Sequence, residues 1–127
     1  MIAVFMVAWS LAVGVPTTCY EEQFPWQAMA VYDTVNHHIY LGPETCTMLG
    51  YMKHGPADTA AIGLLVYGHE LAHARGVASH AQADCIGQRR AGVLARQLGA
   101  TWRRSQKLAS YARDLIFQQP CYRRTYR

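Results

Sequence analysis

Two histidines four residues apart, His69 and His73, with Glu70 directly after the first, are the side chains of this 127-residue chain best spaced to do chemistry together. On a helix, residues four apart lie about one turn apart on one face, so both imidazoles can meet a single ion. Zinc accepts neutral imidazole nitrogen readily. Glu70 is rotated by about 100° from His69, which brings its carboxylate beside the ion. There it can accept a proton from water that zinc has acidified towards a pKa of about 7. This is the physical content of H-E-x-x-H, and Glu70 is the candidate general base.

A catalytic zinc needs a third protein ligand. Gly76 allows the chain to reverse after the motif, and the next helix offers His80 and Asp84, again four residues apart on one face. Two arrangements are open. In one, His80 binds the ion and Asp84 accepts the second N–H of an imidazole. In the other, Asp84 binds and His80 stands by. Zinc's ligand preferences, and the shorter reach back from Gly76, favour His80. Peptide-bond hydrolysis also calls for an oxyanion donor. Tyr51, Tyr67, Tyr111, His37, His38 and His54 are candidates that the sequence does not rank.

The elements around the motif follow from pattern and punctuation. The motif helix is capped at Asp58 or Thr59 and runs to Arg75, with Gly76 closing it. Ile62, Leu64, Leu65, Val66, Tyr67 and Leu71 make it apolar on nearly all sides, as in a helix buried on most faces. Ionisable residues inside such a helix are costly unless compensated, and a metal compensates them. Ser79 caps a helix to Leu98 ended by Gly99, and Thr101 caps another to about Gln118. Upstream, Ala28–Tyr32 and Ile39–Leu41 read as two strands, with Asp33–His38 turning between them and Asn36 suited to positive φ. A short helix follows from Glu44 to Met52 with Pro43 at its start. Pro16–Gln27 reads as irregular. The expected fold class is α+β, a small β-hairpin on a helical core with the metal between two helices.

The stretch from His69 to Gly87 resembles gluzincin-type zinc metallopeptidases, in particular small secreted or phage-associated ones with H-E-L-x-H-x-x-G followed by E-x-x-A-D-C. Here the second part reads His80-Ala81-Gln82-Ala83-Asp84-Cys85. The resemblance implies zinc ligands at His69 and His73, a general base at Glu70, and a supporting role for Asp84. The family's third ligand, a Glu, falls on His80. It further implies a peptide or protein substrate, and a strand beside the cleft to which an extended peptide can add; in such enzymes this is the later strand of the pair. Metzincins would need a histidine at position 79, where Ser79 stands. The rival functional class is a non-catalytic, zinc-stabilised secreted binding or toxin-like module.

The chain as a whole constrains the setting. Residues 1–14 form an apolar leader without charge, too short to span a membrane but fitting a signal peptide, with Ala12-Val13-Gly14 as the small-x-small site. Residues 15–127 are then one domain, expected to be secreted or extracytoplasmic. Four cysteines, Cys19, Cys46, Cys85 and Cys121, suit two disulfides in an exported chain. Three connectivities exist, with Cys46–Cys85 and Cys19–Cys121 favoured. Net charge is +4, and eleven of the twelve bases lie from Arg75 onward. They fall on the outer faces of helices without a nucleic-acid motif, so no nucleic-acid partner and no membrane span are expected.

Overall fold

The structure, a computed structural model, describes residues 3–23 and 28–115. It is α+β: a four-stranded mixed sheet packed on helices. The strands are β1 (Ala3–Phe5), β2 (Thr17–Tyr20), β3 (Ala30–Asp33) and β4 (His38–Leu41). Their order across the sheet is β1-β2-β4-β3. β2 runs parallel to β4, and the outer strands pair antiparallel with their neighbours. The hairpin read from sequence is therefore β3–β4, and two further strands extend it.

Those two strands come from stretches whose pattern does not announce them. β2 lies in the segment read as irregular. Its β-branched Thr17 is fully buried, with Oγ1 bonded to the Val15 carbonyl (3.1 Å) and to the Tyr67 hydroxyl (2.6 Å). β1 and helix α1 (Val7–Val13) are built from the apolar N-terminal run. Ser10 ties α1 to the sheet by accepting from the Thr17 N–H at 2.9 Å. In the hairpin turn the positive φ falls on His37 rather than Asn36, because Asn36 is used to bond the Asp33 carboxylate through its side chain at 2.8 Å.

Helix α2 (Pro43–Leu49) starts with Pro43 in its first turn, as read from sequence. Helix α3 (Ala57–Ala74) carries the motif through the middle of the molecule. Ala60, Ala61, Leu64, Tyr67, Leu71 and Ala72 are buried along it, consistent with an apolar surround. Its cap is Pro56, two or three residues before the capping positions read from sequence. Gly76 follows its end with φ +100°, the left-handed conformation that lets the chain reverse. The single helix expected from Ser79 to Leu98 is two, α4 (His80–Arg89) and α5 (Ala91–Gln97), which meet at Arg90. α4 packs chiefly on α3 while α5 packs chiefly on α6 (Trp102–Leu115), and the change of direction at Arg90 serves both surfaces. Ser79 caps α4 by accepting from the Gln82 N–H. Thr101 likewise accepts from the Arg104 N–H ahead of α6. Residues 116–118, the expected end of that helix, lie outside the described residues.

The cysteine pairing differs from the favoured one. Cys19 on β2 bonds Cys46 on α2, with Cα atoms 6.2 Å apart. The cause is topological: β4, the parallel neighbour of β2, leads directly into α2, which sets Cys46 over Cys19. Cys46–Cys85 and Cys19–Cys121 are thereby both excluded. Cys85 is also disulfide-bonded, and Cys121 lies outside the described residues.

Candidate metal centre

α3 and α4 cross where Gly68, one residue before the motif, meets Gly87 of α4. A Cβ on Gly68 would lie 2.9 Å from the Gly87 Cα, and one on Gly87 would lie 3.0 Å from the His69 backbone nitrogen. Any larger residue would push the helices apart, so the two glycines set how closely His80 and Asp84 approach His69 and His73. The Gly76 reversal then feeds α4 back beside α3.

The three histidines converge. His69 Nε2, His73 Nε2 and His80 Nδ1 form a triangle with edges of 3.0 Å (His69–His73), 3.2 Å (His69–His80) and 3.3 Å (His73–His80). Ligand nitrogens bound tetrahedrally at about 2.0–2.1 Å stand about 3.3–3.4 Å from one another, so the triangle is the size that a metal ion requires. The group is close enough to hold one ion.

Protonation makes the case stronger than distance does. His69 Nδ1 lies 2.6 Å from Asp84 Oδ1, and His73 Nδ1 lies 2.6 Å from the Val77 carbonyl oxygen. A carbonyl can only accept a hydrogen bond, and so can an ionised carboxylate. Both rings therefore carry a proton on Nδ1 and donate it outward, so that in the neutral ring the lone pair lies on Nε2. Two such lone pairs face each other at 3.0 Å. Left alone they repel; a positive charge between them, from a metal ion or an added proton, turns repulsion into attraction. An acceptor behind the ring, bonded to the nitrogen that faces away from the ion, is how proteins fix the tautomer of a metal-binding imidazole. Asp84 takes this orienting position and does not occupy the corner that His80 fills.

Glu70 sits beside this triangle with its side chain 12% exposed and Oε2 3.9 Å from His69 Nε2. Burial pushes its carboxyl above the ordinary range, opposed chiefly by His69 and His73, with a smaller opposing effect from the Tyr32 backbone N–H. Tyr32 lies on β3, which among the described residues is an edge strand and packs against α3.

Two openings flank Glu70 along that edge. One, of about 280 Å³, lies between Met29 and Ala30 on one side and Leu65, Val66, His69 and Asp84 on the other. The second, of about 640 Å³, runs from Ala30, Tyr32 and Thr34 to His73, Val77 and His80. The strand bordering the cleft is thus β3, the earlier of the hairpin pair, because β4 is enclosed between β2 and β3. Sequence reading passed over Tyr32 and Val77. Both act here through backbone atoms, which leave no mark on residue type. Of the six oxyanion candidates, none lines either opening. Tyr67 is fully buried and bonded to Thr17.

Comparison of the chain with protein-family models, with curated proteins and with solved structures yields no match.

Proposed function

We propose that the chain is a secreted zinc-dependent hydrolase of peptide bonds, of the gluzincin type, with His69, His73 and His80 as ligands and Glu70 as general base. The observation that carries this reading is the pair of outward-locked imidazoles with bare Nε2 atoms, completed by His80 and flanked by a buried carboxylate. A zinc ion held there would supply Lewis acidity, polarising a substrate carbonyl and acidifying water. Three neutral imidazoles leave the full charge of such an ion uncompensated, which suits that task.

The remaining roles belong to the chain. The Asp84 carboxylate and the Val77 carbonyl hold the His69 and His73 rings in position. Glu70 accepts a proton from water as its oxygen adds to the scissile carbonyl carbon. It then delivers that proton to the departing nitrogen as the C–N bond breaks, which leaves a carboxylic acid and an amine. The peptide class is supported by the free edge of β3. The Gly42 N–H bonds the Met29 carbonyl at 2.9 Å, so 29 and 42 are a hydrogen-bonded pair of the antiparallel ladder. By alternation, Ala30 and Tyr32 direct their N–H and C=O groups away from β4, towards the cleft. An extended peptide can use them. Secretion is supported by the disulfides, which persist in oxidising compartments.

The absence of the six oxyanion candidates from the cleft favours a second reading, a zinc-stabilised binding module without turnover. One experiment separates the two. Metal content by mass spectrometry and hydrolysis of a mixed peptide library are measured on wild type and Glu70→Gln. Zinc in both, with cleavage by wild type alone, is the expected result. Zinc in both and cleavage by neither would leave the binding module.

A further inference from the structure

The segment from α4 to α6 carries much of the chain's positive charge, and little in the structure neutralises it. Arg89, Arg90, Arg96, Arg103, Lys107 and Arg113 are exposed. Among the described residues none of them forms an ion pair; the close pairs are those of His69 with Glu70 and with Asp84. Arg104 differs, because it is turned inward and donates to the carbonyls of Tyr51, Met52 and Gly55. Of the two acids on these helices Asp84 is bonded to His69, which leaves Asp114 as the exposed one.

α5 and α6 lie side by side and antiparallel. A Cβ on Gly92 would stand 3.3 Å from the Ala109 Cβ. At one end of the pair Arg96 meets Trp102, and at the other Gln88, just before α5, donates to the Arg113 carbonyl at 3.0 Å. The Arg96 guanidinium stands 5.0 Å from the centre of the Trp102 ring, yet the tryptophan remains 63% exposed. Val93, one turn before Arg96, is 48% exposed. On α6, Trp102, Arg103 and Lys107 share the face opposite the buried Ser105, Leu108 and Ala112. A large indole left in water among unpaired bases calls for a partner that is both anionic and apolar. A bilayer surface rich in acidic phospholipid is such a partner: its phosphates pair with guanidinium groups, and indole rings settle at the headgroup level. Single-stranded nucleic acid needs successive open ring faces. Here Arg96 covers one face of Trp102, and Tyr111, the other exposed ring of α6, is more than two turns away. We propose that the α5–α6 face carrying Arg96, Trp102, Arg103 and Lys107 docks the protein on membranes rich in acidic phospholipid. It would lie on the bilayer, since no helix among the described residues is long and apolar enough to cross it. None of these residues belongs to the metal centre, so docking stands whether or not that centre hydrolyses peptides.

The test is sedimentation of the full chain with two kinds of vesicle, phosphatidylcholine alone and phosphatidylcholine with phosphatidylglycerol in equal parts. Wild type should bind the second and not the first, and added salt should weaken the binding. Arg96→Gln/Arg103→Gln/Lys107→Gln should bind about a hundredfold more weakly, from the loss of three bases near an anionic surface. Trp102→Ala keeps every charge and should bind about tenfold more weakly, from the loss of buried indole surface. Thermal melts followed by circular dichroism report whether each variant is folded. Trp102→Ala changes a mostly exposed side chain and decides the matter alone if the triple variant does not fold. Equal binding to both kinds of vesicle, binding to neither, or wild-type binding by either folded variant would overturn the proposal. Release from the acidic vesicles by duplex DNA at equal phosphate concentration would assign the face to nucleic acid and overturn it as well.

Discussion

At His69 and His73 the ring nitrogen that faces away from the triangle decides what the other nitrogen can do. Because Asp84 and the Val77 carbonyl accept hydrogen bonds from the two Nδ1–H groups, each ring turns its Nε2 towards the other histidines before any ion arrives. His73→Ala or His80→Ala should therefore abolish stoichiometric zinc binding in a competition titration with a chromophoric chelator. Asp84→Asn, which keeps the shape but weakens the acceptor, should lower affinity about 10–100-fold. An unchanged affinity in Asp84→Asn would show that the contact does not tune the site. The histidines and Asp84 were legible in the sequence because helical spacing puts them on facing sides. The Val77 carbonyl and the Tyr32 N–H were not, since any residue type supplies a backbone group. Away from the site, burial raises the Tyr67 hydroxyl from its ordinary value of 10.0 to about 12, with the Thr17 bond opposing. The folded state then favours the neutral phenol. Its contribution is complete below pH 10 and is lost as pH rises towards about 12. Tyr67→Phe should flatten that alkaline decline in a denaturant series, at a cost of about 1 kcal/mol at neutral pH for the missing hydrogen bond.

Between elements, the closeness of α3 and α4 is set by Gly68 against Gly87. Gly87→Ala should destabilise the protein by about 1–3 kcal/mol, as overpacking does. It should also weaken zinc binding, because the helices that carry the ligands move apart. Urea denaturation and the same chelator titration read the two effects; a variant that loses stability but binds zinc as wild type would place the glycines outside the site's support. The α+β class, the motif helix and its Gly76 reversal could be read in advance, because periodicity and helix-end residues mark them. β1 and β2 could not. β1 has three residues and β2 is buried at three successive positions, so neither shows alternation, and β2 owes its place to pairing with β4, twenty-odd residues later in the chain. The disulfide pairing was missed for the same reason, since it follows from the parallel β2–β4 contact. The Cys19–Cys46 bridge closes a separation of 27 residues. On the chain-entropy account, its removal by Cys19→Ala/Cys46→Ala should cost about 3–4 kcal/mol in an equilibrium unfolding measurement. A loss near zero would mean that the sheet and α2 hold this geometry unaided.

Over the whole molecule, an ion held by His69, His73 and His80 would tie α3 to α4, and one that binds only the folded chain should stabilise all of it. Free zinc at about a hundred times the dissociation constant should add about 2.7 kcal/mol, reversed by chelation. Among the described residues, no Lys or Arg lines either opening beside Glu70. Arg89, Arg90, Arg96, Arg103, Lys107 and Arg113 are exposed on α4, α5 and α6, as expected for helix outer faces. The claim on which the functional reading depends is that three imidazoles hold one zinc ion. X-ray absorption at the zinc edge, on protein loaded with one equivalent, counts those imidazoles directly. The expected spectrum has three histidine nitrogens at about 2.0–2.1 Å, with light-atom coordination completed by oxygen. A shell with two imidazoles and a protein carboxylate, or with sulfur, would contradict the assignment, as would the absence of tightly bound zinc.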